Sequence, residues 1–308
     1  MLSYEELHHR AALFRIIRDF FHQQHFLEID TPVRHPVLIP EANISPLESE
    51  AFFLQTSPEL CMKRLLALGC SRIFQICRCF RREERGRHHL EEFTMLEWYR
   101  SGADYLDLMD DCEALVCCCL DEMRRWLSSA GMEDSLFASL SDRCKPTRPW
   151  RKIAVKDAFA RWSEIPLERA LAESLFDEIL VEKIEPRLGA EGPVFLYDYP
   201  LSMASLAKRK DTDDTVAERF ELYLDGVELA NGFSELTDPD EQRERFVDEV
   251  GTIAAAGGRE MALPEKFLAD LEKLDTCAGV AFGLDRFCML LLGKNDIHDA
   301  VPFSPRDL

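Results

Sequence analysis

The 308-residue sequence contains 11 cysteines but no CxxC pair, so it carries no zinc-site spacing. Nor does it read as a disulfide framework. Cys117, Cys118 and Cys119 are consecutive in a helix-like apolar run, where they cannot all be stapled, and Cys77 and Cys79 share a face of a strand-like run. Reduced cysteines used as small apolar residues are the pattern of a cytoplasmic protein. No apolar stretch approaches the roughly 20 residues that span a bilayer. Charges interrupt every apolar run of "MLSYEELHHRAALFRIIRDFF", which excludes a signal peptide. Gly/Ser/Pro-rich linkers, repeats and low-complexity tracts are absent, so residues 1–308 read as a single domain. Basic residues are scarce: 37 against 57 acids, for a formal net charge of -20. That balance argues against a broad nucleic-acid face. Hydrophobic content of 46% is enough for a sizeable core.

One segment runs against this acidity. In "FRREERGRHHLEEF" (80–93) and just before it, Arg78, Arg81, Arg82, Arg85 and Arg87 fall within ten positions. A local basic cleft focuses field on a small anion even in an acidic chain. The flanking segments are strand-like: "RIFQICRCF" (72–80) before, "FTMLEWY" (93–99) after. In the second, Phe93, Met95, Glu97 and Tyr99 share one face and Thr94, Leu96 and Trp98 the other. The loop therefore joins an antiparallel pair.

Elsewhere, Leu7, Ala11, Phe14, Ile17 and Phe21 predict an amphipathic helix from Glu5 to about Gln24, followed by a short strand, "FLEIDTP". Residues 104–127 predict a second amphipathic helix, and 130–190 mixed helix and loop. "PVFLYDYP" (193–200) is strand-like. "RFELYLDGVELANGF" (219–233) predicts a hairpin turning at Asp225-Gly226. "GVAFGLDRFCMLLLG" (279–293) is a glycine-spaced strand entering an apolar helix.

Three constellations bear chemistry. Planar, bidentate guanidinium groups suit phosphate, so Arg81, Arg82, Arg85 and Arg87 either clamp a polyphosphate or form a solvated charged loop. Phe93 is placed to stack on a base. Glu228 and Glu235 flank "LANGFS", and two carboxylates beside a phosphate clamp suit magnesium. Seven residues apart, they face opposite ways on an unbroken strand, so the reading requires a bend or bulge, expected at Asn231-Gly232. Finally, Arg286 begins a helix after Gly279, Gly283 and Asp285. A cation at the positive end of the helix dipole is unfavourable unless an anion binds there.

In order, these segments form a long helix, strand and proline, then FRxE–loop–HxxEF, then GxDR entering an apolar helix. The chain thus resembles class II aminoacyl-tRNA synthetases, and the HxGH motif of class I is absent. "SPE" (57–59), "FRREERGRHHLEEFTMLEWY" (80–99), "ELANGFSEL" (228–236) and "GVAFGLDR" (279–286) look like the lysyl branch. The first motif begins almost at Met1, leaving no room for an anticodon-binding domain, which resembles the elongation factor P–(R)-β-lysine ligase family. The resemblance implies an α+β fold, a class II synthetase-like antiparallel sheet flanked by helices. It also implies ATP and Mg2+, lysine or β-lysine as substrate, elongation factor P as acceptor, and a homodimer. Membrane and tRNA are not expected as partners.

By position, the resemblance implies that Arg81 contacts the α-phosphate and Arg286 the γ-phosphate. Arg82, Glu83, His89, Leu90, Phe93, Glu228, Leu229 and Gly283 would complete the ATP site, with Glu83 on the adenine amino group. Ser57, Pro58, Glu59, Glu97, Tyr99, Asn231, Glu235 and Ala281 would hold the amino acid, and Glu228 and Glu235 the metal. Carboxylates are required there because a buried ammonium must be paired. Three positions depart from the related sequences. "HLEEF" stands for HNPEF, Arg82 for an asparagine, and Ala281 for the glycine of lysyl-tRNA synthetases; the added methyl narrows the pocket and favours β-lysine. The base that deprotonates the acceptor amine is not named by the sequence. Competing readings are a free-standing lysyl-tRNA synthetase-like enzyme and a catalytically silent amino-acid-binding regulator.

Overall fold

The computed structural model describes residues 1–129, 140, 148–259 and 261–308. The chain opens with α1 (Tyr4–Gln23), started by a capping box in which Ser3 Oγ accepts from the Glu6 N–H and the Glu6 carboxylate from the Ser3 N–H. Short strands β1 (Leu27–Glu28), β2 (Arg34–His35), β3 (Glu48–Ser49) and β4 (Phe52–Leu54) follow, then α2 (Glu59–Leu66). The long pair β5 (Arg72–Phe80) and β6 (Glu92–Ser101) leads into α3 (Tyr105–Ser129). After β7 (Arg151–Ala154) come α4 (Val155–Trp162) and short helical turns, then β8 (Val194–Pro200), β9 (Arg209–Lys210), β10 (Asp213–Leu224) and β11 (Val227–Ser234). The chain ends with α5 (Pro239–Ala255), α6 (Glu265–Leu271), β12 (Cys277–Gly283) and α7 (Leu284–Leu291). Of the segment 130–190, which the sequence left as mixed helix and loop, 130–139 and 141–147 lie outside the described residues.

Nine strands form the main sheet in the order β1-β5-β6-β12-β11-β10-β8-β7, with β9 on β10. The six central strands are antiparallel, as the resemblance implied. The outer pairs β1·β5 and β7·β8 are parallel, so the sheet is mixed. The β5–β6 pairing and the β10–β11 hairpin match their sequence patterns, and Asp225 and Gly226 both take positive φ, 54° and 72°. On one face, Phe74, Leu96, Trp98 and Phe282 form the main core with α1 and α3.

The buried stripe of α1 differs from the expected one. His9, Ala12, Leu13, Ile16, Ile17 and Phe21 face inward, whereas Leu7 and Ala11 are exposed. The outward stripe begins at Tyr4, which is 80% exposed. The 7–11–14–17–21 pattern spans the edge of the buried face because α3 packs on one side of it.

One buried ion pair ties three elements together. Asp285, 1% exposed, accepts from Arg10 of α1 at 2.6 Å and from the Thr94 N–H of β6 at 2.6 Å. Removing one partner of such a pair leaves a buried charge uncompensated, typically at a cost of about 3–5 kcal/mol. Asp285→Ala is expected to lower unfolding stability by about that much, and Asp285→Asn by less because its amide still accepts from Arg10. Urea unfolding followed by far-UV circular dichroism measures the difference.

Candidate active site

The site follows from three small residues. β12 occupies the middle of the sheet and presents Gly279, Ala281 and Gly283 to the face opposite the α1–α3 core. Across the strands, Ala281 pairs with Glu97 and Asn231, Gly279 with Tyr99 and Phe233, and Gly283 with Met95. Larger neighbours thus flank a trough along β12. Gly279 cannot carry a side chain, since a Cβ there would lie 2.2 Å from Tyr99 Cε1. Two cavities open over the trough, of about 650 and 1100 Å³, and share Arg81, Asn231 and Ala281 in their walls.

The first cavity is lined by His89, Leu90, Phe93, Glu228, Leu229, Gly283 and Arg286, and by Glu84. A bulge aims Glu228 into it. Leu222 pairs with Ala230 and Tyr223 with Glu228, which leaves Leu229 as the extra residue of β11. The parity argument therefore required a bulge, but its position is corrected: Asn231 and Gly232 are in regular register. Arg286 is held by the Glu228 carbonyl (2.8 Å) and carboxylate (3.0 Å), the His88 carbonyl and His89. Its Nη2 donates to His89 Nε2 at 2.8 Å, so that imidazole is neutral. Burial first, then the Arg286 charge, lower the His89 pKa in agreement with this. Leu90 explains its own departure from the motif. It is 5% exposed, belongs to the main core and supplies an apolar wall to the cavity.

Two expected ATP ligands lie elsewhere. Arg82 and Glu83 line outer grooves and do not border the first cavity. The Arg82 N–H donates to the Ser45 carbonyl at 2.7 Å. Glu83 is turned out by a φ of 66°, and its N–H is captured by Glu91 Oε1 at 2.9 Å. Glu91 Oε2 also accepts from Arg85, so the glutamate replacing the motif proline fastens the loop. The carboxylate of this loop that borders the cavity is Glu84, 3.3 Å from Arg81 Nη1.

The second cavity is lined by Ser57, Glu59, Glu97 and Tyr99, with Glu41 and Arg219. Tyr99 donates to Glu97 Oε1 at 2.6 Å, as their shared strand parity predicts. Glu97 Oε2 is buried with no partner among the described residues, and burial first, then Glu59, raise its pKa well above the carboxylate range. Pro58 is buried at the start of α2 behind Ser57 and does not reach the cavity.

Glu235 is also displaced from its expected role. It lies against the face of Gly279 to which a Cβ would point, 3% exposed and in a short ion pair with Lys63, which also donates to Glu59 at 2.6 Å. Glu228 and Glu235 thus stand at opposite ends of β11 and do not form a metal pair, and no group of three metal-ligating side chains occurs among the described residues. Glu228, open to the first cavity, fits a magnesium ion shared with phosphate oxygens, whereas Glu235 does not. Burial raises the Glu235 carboxyl above its usual range while Lys63 opposes it. Sequence reasoning missed Lys63, although its i,i+4 spacing from Glu59 was a usable signal. It also missed Arg219, whose Nε donates to Asn231 Oδ1 at 3.1 Å while Nη2 bonds Glu221 at 2.7 Å. That bond fixes the Asn231 amide and leaves its NH2 group for the wall between the cavities.

An anion cavity with two arginines, joined through an asparagine to an acidic cavity, is the arrangement of an amino-acid-activating domain. Residues 3–307 match the family model described as "tRNA synthetases class II (D, K and N)". The chain is 38% identical over 310 residues to an elongation factor P–(R)-β-lysine ligase of Pectobacterium atrosepticum, covering 96% of this chain and 93% of that one. It is 37% identical over 306 residues to the ligase of the same name from Salmonella agona, with the same coverage. The chain belongs to the class II tRNA synthetase family, and within it to the elongation factor P–(R)-β-lysine ligases.

An ammonium entering the second cavity pairs best with an ionised Glu97, whose pKa is held well above the carboxylate range by burial in the empty site. Binding of a lysine-type amino acid is therefore expected to release a proton and to tighten as pH rises. Titration calorimetry in two buffers of different ionisation enthalpy reads this release, and Glu97→Gln should abolish it while weakening binding roughly 100-fold.

Proposed function

We propose that this chain is an ATP-dependent ligase that activates (R)-β-lysine, or lysine, as its adenylate and passes the acyl group to a lysine side chain of elongation factor P. The observation that carries the reading is the junction of the cavities at Arg81, Asn231 and Ala281. A triphosphate in the first cavity brings its α-phosphate to that wall, and an amino acid whose ammonium lies at Glu97 brings its carboxylate to the same place. Arg81 and the Asn231 amide neutralise and orient the reacting groups. Arg286 takes the terminal phosphate, Phe93 and Leu90 pack on the base, and pyrophosphate leaves. Positioning and charge neutralisation supply the catalysis, with no enzyme nucleophile. Mg2+, held by Glu228 and the phosphates, would add charge neutralisation.

Ala281 supports the choice of β-lysine. Its methyl stands on the wall where the substrate carboxylate must lie, so the position of the amino group nearest that carboxylate decides the fit. The reading further includes a single catalytic domain over residues 1–308, a cytoplasmic location, and a homodimer through the outward stripe of α1. Among the described residues, no helix is long and apolar enough to cross a membrane. The net charge of -20 disfavours tRNA.

Incubation with ATP, each lysine isomer and elongation factor P, followed by intact-mass measurement, tests the proposal. A mass gain on elongation factor P, larger with (R)-β-lysine, is expected. Charging of tRNA in preference to the protein, or no adenylate with any isomer, would overturn it. Ala281→Gly should shift the pyrophosphate-exchange preference toward α-lysine by roughly tenfold, the scale of one methyl group in a pocket.

A further inference from the structure

The transfer step requires a neutral amine. A lysine side chain, with a solution pKa near 10.4, is neutral in only about one molecule in a thousand at pH 7.4. None of the residues assigned above takes its proton. From the geometry we propose that Glu41 does so, accepting the proton of the attacking lysine during transfer. This rests on the functional reading above.

Glu41 lines the second cavity together with Arg81 and Asn231, the residues at the wall where the acyl phosphate must form. Among the described residues its carboxylate accepts no hydrogen bond and forms no ion pair, in a site where the other carboxylates are engaged. Glu59 holds Lys63, Glu97 accepts from Tyr99, Glu235 pairs with Lys63, and Glu249 accepts from the Ala42 N–H. The backbone carrying Glu41 is nonetheless fixed. The Ala42 N–H bonds Glu249 of α5 at 2.6 Å, the Ile44 N–H returns to the Glu41 carbonyl at 3.2 Å, and Ser45 accepts from the Arg82 N–H. A free acceptor on a rigid segment beside the reacting centre is what a proton transfer needs.

Its surroundings agree. The charged groups that act on it most among the described residues are Glu59 from α2, Arg81 from the arginine loop, Glu249 from α5 and Arg219 from β10. Burial first, then Glu59, raise its pKa to about 7, with Arg81 opposing. A phosphate on Arg81 weakens that opposition and makes Glu41 a stronger base when the adenylate is in place.

The step balances as follows. The acceptor's ammonium gives one proton to the Glu41 carboxylate. The nitrogen lone pair attacks the acyl carbon, and the C–N bond forms. The bond from that carbon to the α-phosphate oxygen breaks, and AMP leaves with its electron pair. The nitrogen's second surplus proton goes to solvent.

The test separates amines by their need for a base. Adenylate is formed on the wild-type enzyme and on Glu41→Gln, its amount is measured, and transfer is followed per adenylate to elongation factor P and to hydroxylamine, which is largely neutral at pH 7. Transfer to the protein should fall roughly 100-fold in Glu41→Gln, while release to hydroxylamine keeps the wild-type rate. The wild-type protein transfer should also rise with pH through about 7, a limb missing from the variant. Equal loss with both acceptors, or no loss with either, overturns the role of Glu41. Wild-type enzyme that serves hydroxylamine but not elongation factor P overturns the functional reading instead.

Discussion

The active site depends on the smallness of one strand. From its third residue on, β12 presents Gly279, Ala281 and Gly283 to the functional face, while its partners present Glu97, Tyr99, Asn231 and Phe233 beside them. A central strand with ordinary side chains would fill that face and leave a flat sheet. Here the missing volume forms a trough, and the two cavities open over it. The antiparallel register decides what stands on the trough's banks. Glu97 and Tyr99 of β6 and Asn231 and Phe233 of β11 are each paired with a glycine or alanine of β12.

Charge is arranged by the same trough. At one end, Arg81 and Arg286 await anions, paired for now with Glu84 and Glu228. At the other, Glu59 and Glu235 share one ammonium, that of Lys63, and Glu97 feels the charge of both carboxylates. Lys63 leaves this end short of positive charge, which suits a cationic substrate side chain. The middle is held by Arg219, which bonds Asn231 while Glu221 accepts from Arg219, Tyr199 and Tyr223. On the proposed reading, this arrangement sorts nucleotide and amino acid electrostatically before they meet.

Much of this was legible in the sequence, and the remainder has physical reasons for being hidden. The alternation of residues 93–99 placed Glu97 and Tyr99 together, and Asp225-Gly226 located the hairpin, because both signals are local. The Glu228–Glu235 parity conflict correctly demanded a bulge. Nothing local marked Leu229 as its site, since the extra residue is set by pairing with β10. Glu83 and Glu84 are adjacent acids, and only the positive φ of Glu83 decides which one enters the cavity. Lys63 and Arg219 read as ordinary surface cations until the fold buries one and centres the other. The buried stripe of α1 is offset from the expected one because α3 packs against one side of the helix, which periodicity alone does not mark.

The central claim is that nucleotide and amino acid meet at the wall formed by Arg81, Asn231 and Ala281. A crystal structure with a non-hydrolysable β-lysyl-adenylate analogue tests it most directly. The account predicts the phosphate group between Arg81 and the Asn231 amide, the base against Phe93 and Leu90, and the side-chain ammonium on Glu97 Oε2. An analogue bound with its base in the acidic cavity, or with its ammonium on Glu228, would contradict the account.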